Sequence, residues 1–311
     1  MQAMDKISVI IPCYNEQDAI PIFYREIIAV AGGMSGQDFE FLFVDDGSSD
    51  RTLNILKELA GADARVRYIS LSRNFGKESA MLAGLKNATG DYIALMDVDL
   101  QDPPQLLAEM YEICHSGGYD CAAAKRSDRR GESKIRSFFA SMFYKIINKM
   151  SQTEIVDGAR DFRLMSRQMT DAILSLCEYN RFSKGIFGWV GFRTKWLEYP
   201  NIQRSAGSTK WSFYKLFVYS MEGIVAFSTS PLLFASIAGT IFCIISFVMI
   251  VVLTVRQAVW GGSVSGWTST ICILLLISGI QLFCTGILGL YLSKTYLETK
   301  KRPSYIIKEI K

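Results

Sequence analysis

Two long stretches without a charged side chain set the first limit on this chain. Gly223 to Val255 carries none, Gln257 to Ser293 carries none, and Arg256 alone separates them. Each holds an apolar core longer than the ~20 residues that cross a bilayer as a helix. Core helices of soluble domains are seldom free of charge for so long, so two transmembrane helices are expected, at about 231–255 and 268–292. Between them lie glycines, serines and one basic residue, whereas Lys294, Lys300, Lys301 and Arg302 follow the second. The positive-inside rule puts that tail in the cytoplasm, and two crossings put everything before the first helix on the same side. Met1 to Lys6 is polar and precedes a short strand, so no signal peptide is expected. The organisation read from this pattern is a cytosolic domain over 1–200, a juxtamembrane amphipathic segment over 201–229, two helices within 230–293 and a basic cytosolic tail over 294–311. The chain is then a multi-pass protein of the cytoplasmic membrane with both termini in the cytoplasm.

The soluble part alternates strands and helices. Ile7 to Ile11, Phe39 to Val44, Val66 to Leu71, Tyr92 to Met96 and Tyr119 to Ala124 are short apolar runs with strand composition. Helices fit 17–31, where Gly32-Gly33 ends the pattern, and 51–60, 76–87 and 103–116. Spacing of this kind predicts an α/β domain with a mostly parallel, Rossmann-like sheet and helices on both faces. Seven cysteines form no C-x-x-C pair, which suits a reducing compartment. With His115 the only histidine, a His-rich zinc site and a triad built on several histidines are excluded. A net charge of +4 does not call for nucleic acid, and beside a membrane it suits anionic lipid.

The chemistry gathers at strand ends. The run Tyr92 to Met96 ends in Asp97 and Asp99, and Pro103-Pro104 then stops the strand and can open a helix. Open α/β sheets bind their ligands at the carboxyl ends of strands. Two hard oxygen ligands there suit Mg²⁺ or Mn²⁺ held together with substrate phosphates. The first strand ends in Pro12-Cys-Tyr14-Asn15-Glu16 and the second in Asp45-Asp46-Gly47-Ser48. Each is an ordinary turn sequence alone; together, on one sheet edge, they describe a nucleotide site.

These segments carry a resemblance. Ser8-Val-Ile-Ile-Pro-Cys-Tyr-Asn-Glu16, Val44-Asp-Asp-Gly-Ser-Ser-Asp50 and Met96-Asp-Val-Asp-Leu-Gln-Asp-Pro-Pro104 resemble glycosyltransferase family 2. Ser72-Arg-Asn-Phe-Gly-Lys77 and Asp161-Phe-Arg-Leu-Met165 are similar, more narrowly, to polyprenyl-phosphate glycosyltransferases, the bactoprenol and dolichyl-phosphate mannose synthase relatives. The resemblance covers nearly the whole chain, including the two C-terminal spans. It implies a GT-A fold, a UDP-sugar donor (glucose or N-acetylglucosamine), a divalent cation and a polyprenyl phosphate acceptor such as undecaprenyl phosphate. Carried over residue by residue, it implies that Asp97 and Asp99 bind the metal–diphosphate. It also implies that Asp45 or Asp46 binds the nucleoside, that Pro12, Tyr14 and Glu16 line it, and that Lys77 belongs to the nucleotide-sugar site.

Val156-Asp157-Gly-Ala-Arg160-Asp161-Phe162-Arg163 holds two candidate catalytic carboxylates, Asp157 and Asp161. Relatives commonly show Gly-Asp-Phe-Arg, and Arg160 here replaces that glycine. A phosphate monoester has a second pKa of about 6, so the acceptor is largely a dianion at neutral pH and needs positioning more than deprotonation. Arg126, Arg129, Arg130 and Arg163 are candidates to offset the repulsion between acceptor and donor, and Arg204 and Lys210 to hold the lipid phosphate. Lys134 to Met150 has apolar residues at helical spacing and fits either a helix packed on the sheet or an interfacial helix. The aromatic stretch Trp211 to Tyr219 is the stronger interfacial candidate, and Phe182 to Trp189 is read as packing under the site.

The activity so implied is inverting hexosyl transfer at the cytoplasmic membrane face, yielding a lipid-phosphate-sugar for cell-envelope glycosylation. A processive polysaccharide synthase needs several spans and a Gln-x-x-Arg-Trp signal, and the chain has neither. A non-catalytic scaffold or flippase partner retaining the fold is the alternative from another class, against which the intact carboxylates argue. Partners compatible with the resemblance are a second copy of the chain, a flippase and a downstream lipid-sugar-dependent glycosyltransferase.

Overall fold

The computed structural model describes residues 4–127, 156–200, 228–260 and 266–311, together with Met142, Lys145, Asn148, Lys149 and Val225. The residues Arg129, Arg130, Arg204 and Lys210, most of 134–150 and nearly all of 201–229 lie outside the described residues.

Four parallel strands form the centre. β1 (Asp5–Cys13), β2 (Gln37–Asp45), β3 (Val66–Leu71) and β4 (Tyr92–Leu95) lie in the order β4-β1-β2-β3. Their Val/Ile/Phe-rich runs are buried on both faces, as crossover helices require. α1 (Ile20–Gly33) covers one face with Ile20, Phe23, Ile27 and Ala31, a helical stripe that packs with α2 (Thr52–Ala62) and α4 (Leu106–His115). α3 (Lys77–Asn87) covers the other face and buries Ala80 through Leu85. A Cβ on Gly84 would stand 2.2 Å from Ile10 Cγ2, so only glycine lets this helix lie so close to β1. Glu40 is buried in the middle of β2; Ser8, Thr89 and Arg67 all donate to it, which satisfies the buried charge.

The remaining strands depart from the sequence reading. β5 (Cys121–Arg126) was expected; β6 (Ala159–Ser166), β7 (Thr194–Tyr199) and β8 (Ile307–Ile310) were not. The full order is β7-β5-β6-β4-β1-β2-β3-β8, with β6 antiparallel to both β4 and β5, and β8 antiparallel to β3. The sheet is therefore mixed, with parallel pairing among β4, β1, β2 and β3 and again between β5 and β7. α5 (Arg167–Ser175) follows β6, with Ser166 as its N-cap accepting from Met169 N. α6 (Ser183–Trp189) then packs beneath β6.

Beyond this domain α7 (Ser230–Trp260) and α8 (Trp267–Thr299) each include a segment long and apolar enough to cross a bilayer, Ser230–Arg256 and Leu276–Thr299. Their apolar side chains are outward-facing and uncovered, Phe234 being 64% exposed, a state water does not tolerate over such a surface. Tyr291 Oη donates to Ser228 O, and Cys284 lies against Ala235 O, so the two helices run antiparallel. After α8 the chain returns to the domain. Glu298 accepts from Tyr179 N, and β8 joins the β3 edge, where Glu309 receives Tyr68 Oη at 2.6 Å and Lys57 Nζ at 2.7 Å.

Candidate active site

The parallel register decides which turns meet. Cys13 pairs with Asp45, Asp46 N donates to Cys13 O, and Met96 N donates to Ile10 O, so β1, β2 and β4 end at one edge. The turns after β1 and β2 are laced together there. Asn15 N donates to Ser48 Oγ, Ser49 N to Asn15 Oδ1, Glu16 N to Thr52 Oγ1 and Gln17 N to Asp50 Oδ2. Tyr14 stands on this loop 36% exposed, just beyond Pro12 at the end of β1.

Asp45 and Asp46 are both buried and both hold backbone. Asp45 accepts from Ser48 N and Ser70 Oγ; Asp46 accepts from Phe75 N at 2.7 Å and Gly76 N at 2.9 Å. Burial pushes the Asp46 carboxyl up, an effect only partly offset by those two N–H groups. Gly47 has φ +66°, and a Cβ there would lie 2.3 Å from the carbonyl carbon of Arg73. The Asp-Asp-Gly-Ser turn therefore clamps the loop 72–76, and that loop delivers Lys77 at the start of α3.

Lys77 occupies the centre. Its ammonium lies 2.7 Å from an Asp97 oxygen and 2.5 Å from Asp161. The sheet explains the meeting. β6 runs antiparallel to β4 with Leu95 opposite Arg163, and continuing that register by two residues sets Asp161 opposite Asp97. Burial favours the neutral form of Asp161, but the charges of Lys77, Lys184 and Arg163 outweigh it and hold the carboxyl below the usual range. The Lys77 ammonium is raised correspondingly, the two carboxylates overcoming its desolvation. The edge as a whole is acidic. The buried Cys13 thiol is pushed up first by burial, then by Asp45, Glu16, Asp97 and Asp50.

Of the two candidate catalytic carboxylates, Asp161 joins this cluster, while Asp157 stands exposed on the turn before β6. Asp99 lies one turn from Asp97 and accepts from Gln101 N. Sequence reasoning missed what fixes this acidic loop. Arg160 Nε donates to the buried Asp102 at 2.8 Å, Tyr199 Oη donates to the same carboxylate, and Gln101 Oε1 accepts from Arg126 and Arg160. Burial disfavours the Arg160 charge, and Asp102 and then Asp97 more than restore it. The departure at Arg160 from the usual glycine was the available signal. Arg126 is thus tied beside the Asp97–Asp99 loop, whereas Arg163 is buried on the α6 side with its guanidinium 3.6 Å from the Phe187 ring centre.

Residues 8–174 match the family described as glycosyl transferase family 2, more than half the chain. The chain belongs to that family. Relatives agree over almost the full length. A Bacillus subtilis protein carrying the glycosyltransferase name CsbB is 44% identical, over 97% of this chain and 91% of its own. The Escherichia coli K12 prophage bactoprenol glucosyl transferase homolog is 41% identical, over 98% and 99%. The bactoprenol glucosyl transferase of Shigella phage SfX is likewise 41% identical, over 98% and 100%. Among solved structures, mannosyl-3-phosphoglycerate synthase from Rubrobacter xylanophilus is similar with TM-score 0.48 and 17% identity, over 71% of this chain and 72% of that one. This family 2 chain is a glycosyltransferase with a GT-A-like α/β domain and two apolar helices behind it.

Proposed function

We propose that this family 2 enzyme moves a sugar, glucose or N-acetylglucosamine, from a UDP-sugar to a polyprenyl phosphate at the cytoplasmic membrane face. The observation that carries the reading is the Asp97–Lys77–Asp161 cluster at the carboxyl edge of the sheet, in a chain that continues into two membrane-length helices. The relatives named as bactoprenol glucosyl transferases support the lipid acceptor.

Among the described residues no group of three acidic, histidine or cysteine side chains could hold a metal by itself. Two carboxylates with oxygen donors, Asp97 and Asp99, fit a hard Mg²⁺ or Mn²⁺ whose coordination is completed by donor phosphates. When bound, that ion supplies charge stabilisation to the departing diphosphate. The chain's own groups do the rest. Arg160 and Arg126 anchor Gln101 and Asp102, fixing the loop that carries both carboxylates. Lys77 balances Asp97 against Asp161. Asp161, ionised and held low, orients the acceptor, because a phosphate that is already a dianion needs no strong base. One acceptor oxygen bonds to the anomeric carbon as the carbon–oxygen bond to UDP breaks, and that electron pair leaves with UDP. A single displacement inverts the centre, so an α-linked donor gives a β-linked lipid phosphate sugar.

The fold also supports the orientation. β8 follows the second long helix yet pairs with β3 of the domain preceding the first, which supports a common side of the membrane for both. The basic residues after α8 support the cytoplasm as that side. The test is to incubate membranes bearing the chain with undecaprenyl phosphate and a panel of radiolabelled nucleotide sugars. Mild-acid-labile labelled lipid is expected from one UDP-sugar, and Asp99→Ala should abolish it without loss of membrane insertion. No labelled lipid from any donor would refute the reading.

A further inference from the structure

A cavity of about 180 Å³ opens between β6, β7 and α6, lined by Arg163, Lys184, Phe187, Phe192, Thr194 and Trp196. Strand geometry explains its position. Ala123 pairs with Arg163 and Lys125 with Ala159, so the β5–β6 ladder is irregular around Asp161, and Ala159 and Arg163 line the cavity on either side of it. On β5, Ala123 pairs with both Arg163 and Trp196, so these two lining residues flank it on the neighbouring strands. The volume is below the ~300–1,000 Å³ of pockets that hold drug-sized ligands, and far above the ~15 Å³ needed by one water. It suits a head group rather than a nucleotide sugar.

Its charge is unusual for a structural void. Arg163 is 2% exposed, and its Nε and Nη2 donate only to the main-chain oxygens of Asp161 and Arg160. Among the described residues no carboxylate lies within ion-pair distance of that guanidinium. Lys184 adds a second positive charge to the lining, close enough to act on Asp161. Asp161 offsets part of this buried charge from beyond ion-pair distance, yet burial outweighs it and pulls the Arg163 guanidinium down from its ordinary value. Two cations with three aromatic walls match an anion carrying an apolar tail.

We propose that this cavity receives the phosphate of the acceptor, with Lys184 and Arg163 on its oxygens and the first isoprenoid carbons against Phe187, Phe192 and Trp196. It rests on the lipid-acceptor reading above, and it sets the acceptor phosphate alongside Asp161, on the side away from the Asp45–Asp46 turn.

The experiment uses the full chain in detergent. Lys184→Gln should raise the KM for undecaprenyl phosphate about tenfold, as loss of one charge-assisted contact does, and change the UDP-sugar KM by less than about twofold. Lys184→Arg should restore the acceptor KM. An unchanged acceptor KM in Lys184→Gln, or a donor KM that rises with it, overturns the pocket while leaving lipid glycosylation standing. Equilibrium binding of farnesyl phosphate without donor separates the two claims. Binding that weakens in Lys184→Gln, in a wild type that glycosylates no lipid, would retain the pocket and remove the acceptor reading. Displacement of farnesyl phosphate by equimolar inorganic phosphate would overturn the part given to the aromatic walls.

Discussion

Lys77 shares one ammonium between Asp97 and Asp161, so the two carboxylates that the proposed function assigns to donor and acceptor are positioned by one side chain. Removing that charge should act on both. Lys77→Met is expected to lower kcat by about a hundredfold, the scale of a lost preorganised electrostatic contact. It should also change the pH profile in a definite direction. In the wild type Asp161 is held below the usual carboxylate range, so it is ionised throughout the working range and the acid limb follows the acceptor phosphate, near about 6. Without Lys77, burial is opposed by less positive charge, the Asp161 carboxyl rises, and the acid limb should steepen or move to higher pH. Rate–pH curves for both proteins decide this; identical limbs would mean that Asp161 does not act in the step. That Asp161 rather than Asp157 meets Lys77 was not legible in the sequence. It depends on β6 running antiparallel to β4, and a strand reading Ala-Arg-Asp-Phe-Arg-Leu-Met-Ser is too charged to look buried. The place of Asp97 and Asp99 just beyond β4 was legible, because an apolar run closed by two carboxylates and two prolines reads as a buried strand ending in a turn.

At the scale of elements, the turn after β2 works mainly by holding another loop. Asp46 fixes Phe75 and Gly76 through their N–H groups, and Gly47 lets Arg73 approach without a Cβ in the way. Gly47→Ala combines a positive φ with a clash against backbone, a strain of about 1–3 kcal/mol. It should lower the melting temperature in detergent by several degrees and reduce kcat through a displaced Lys77. Loss of stability with full activity would show that the turn does not control Lys77. The first four strands and the helices over them followed from βαβ spacing, because each strand is a continuous apolar run. β8 could not be foreseen. Four residues with two charges at a sheet edge carry no periodic signal, and they become a strand only because β3 offers an unpaired edge.

For the whole molecule, the joined sheet makes topology testable. If β3 and β8 share a side, the facing ends of the two long helices, at Trp260 and Trp267, lie opposite them. In a chain whose native cysteines are replaced by serine, a single cysteine at Ser263 should react in intact cells with an impermeant maleimide. One at Lys308 should react only after lysis. The reverse pattern would refute the two-crossing arrangement. Under the proposed function an acceptor phosphate displaces UDP directly at the Asp97–Asp161 edge. The most direct measurement is the anomeric configuration of the lipid product formed from an α-linked UDP-sugar and undecaprenyl phosphate, read by proton and phosphorus NMR. Direct displacement gives a β-linked phosphodiester from the wild type and none from Asp97→Asn; an α-linked product, or undiminished product from that variant, rules it out.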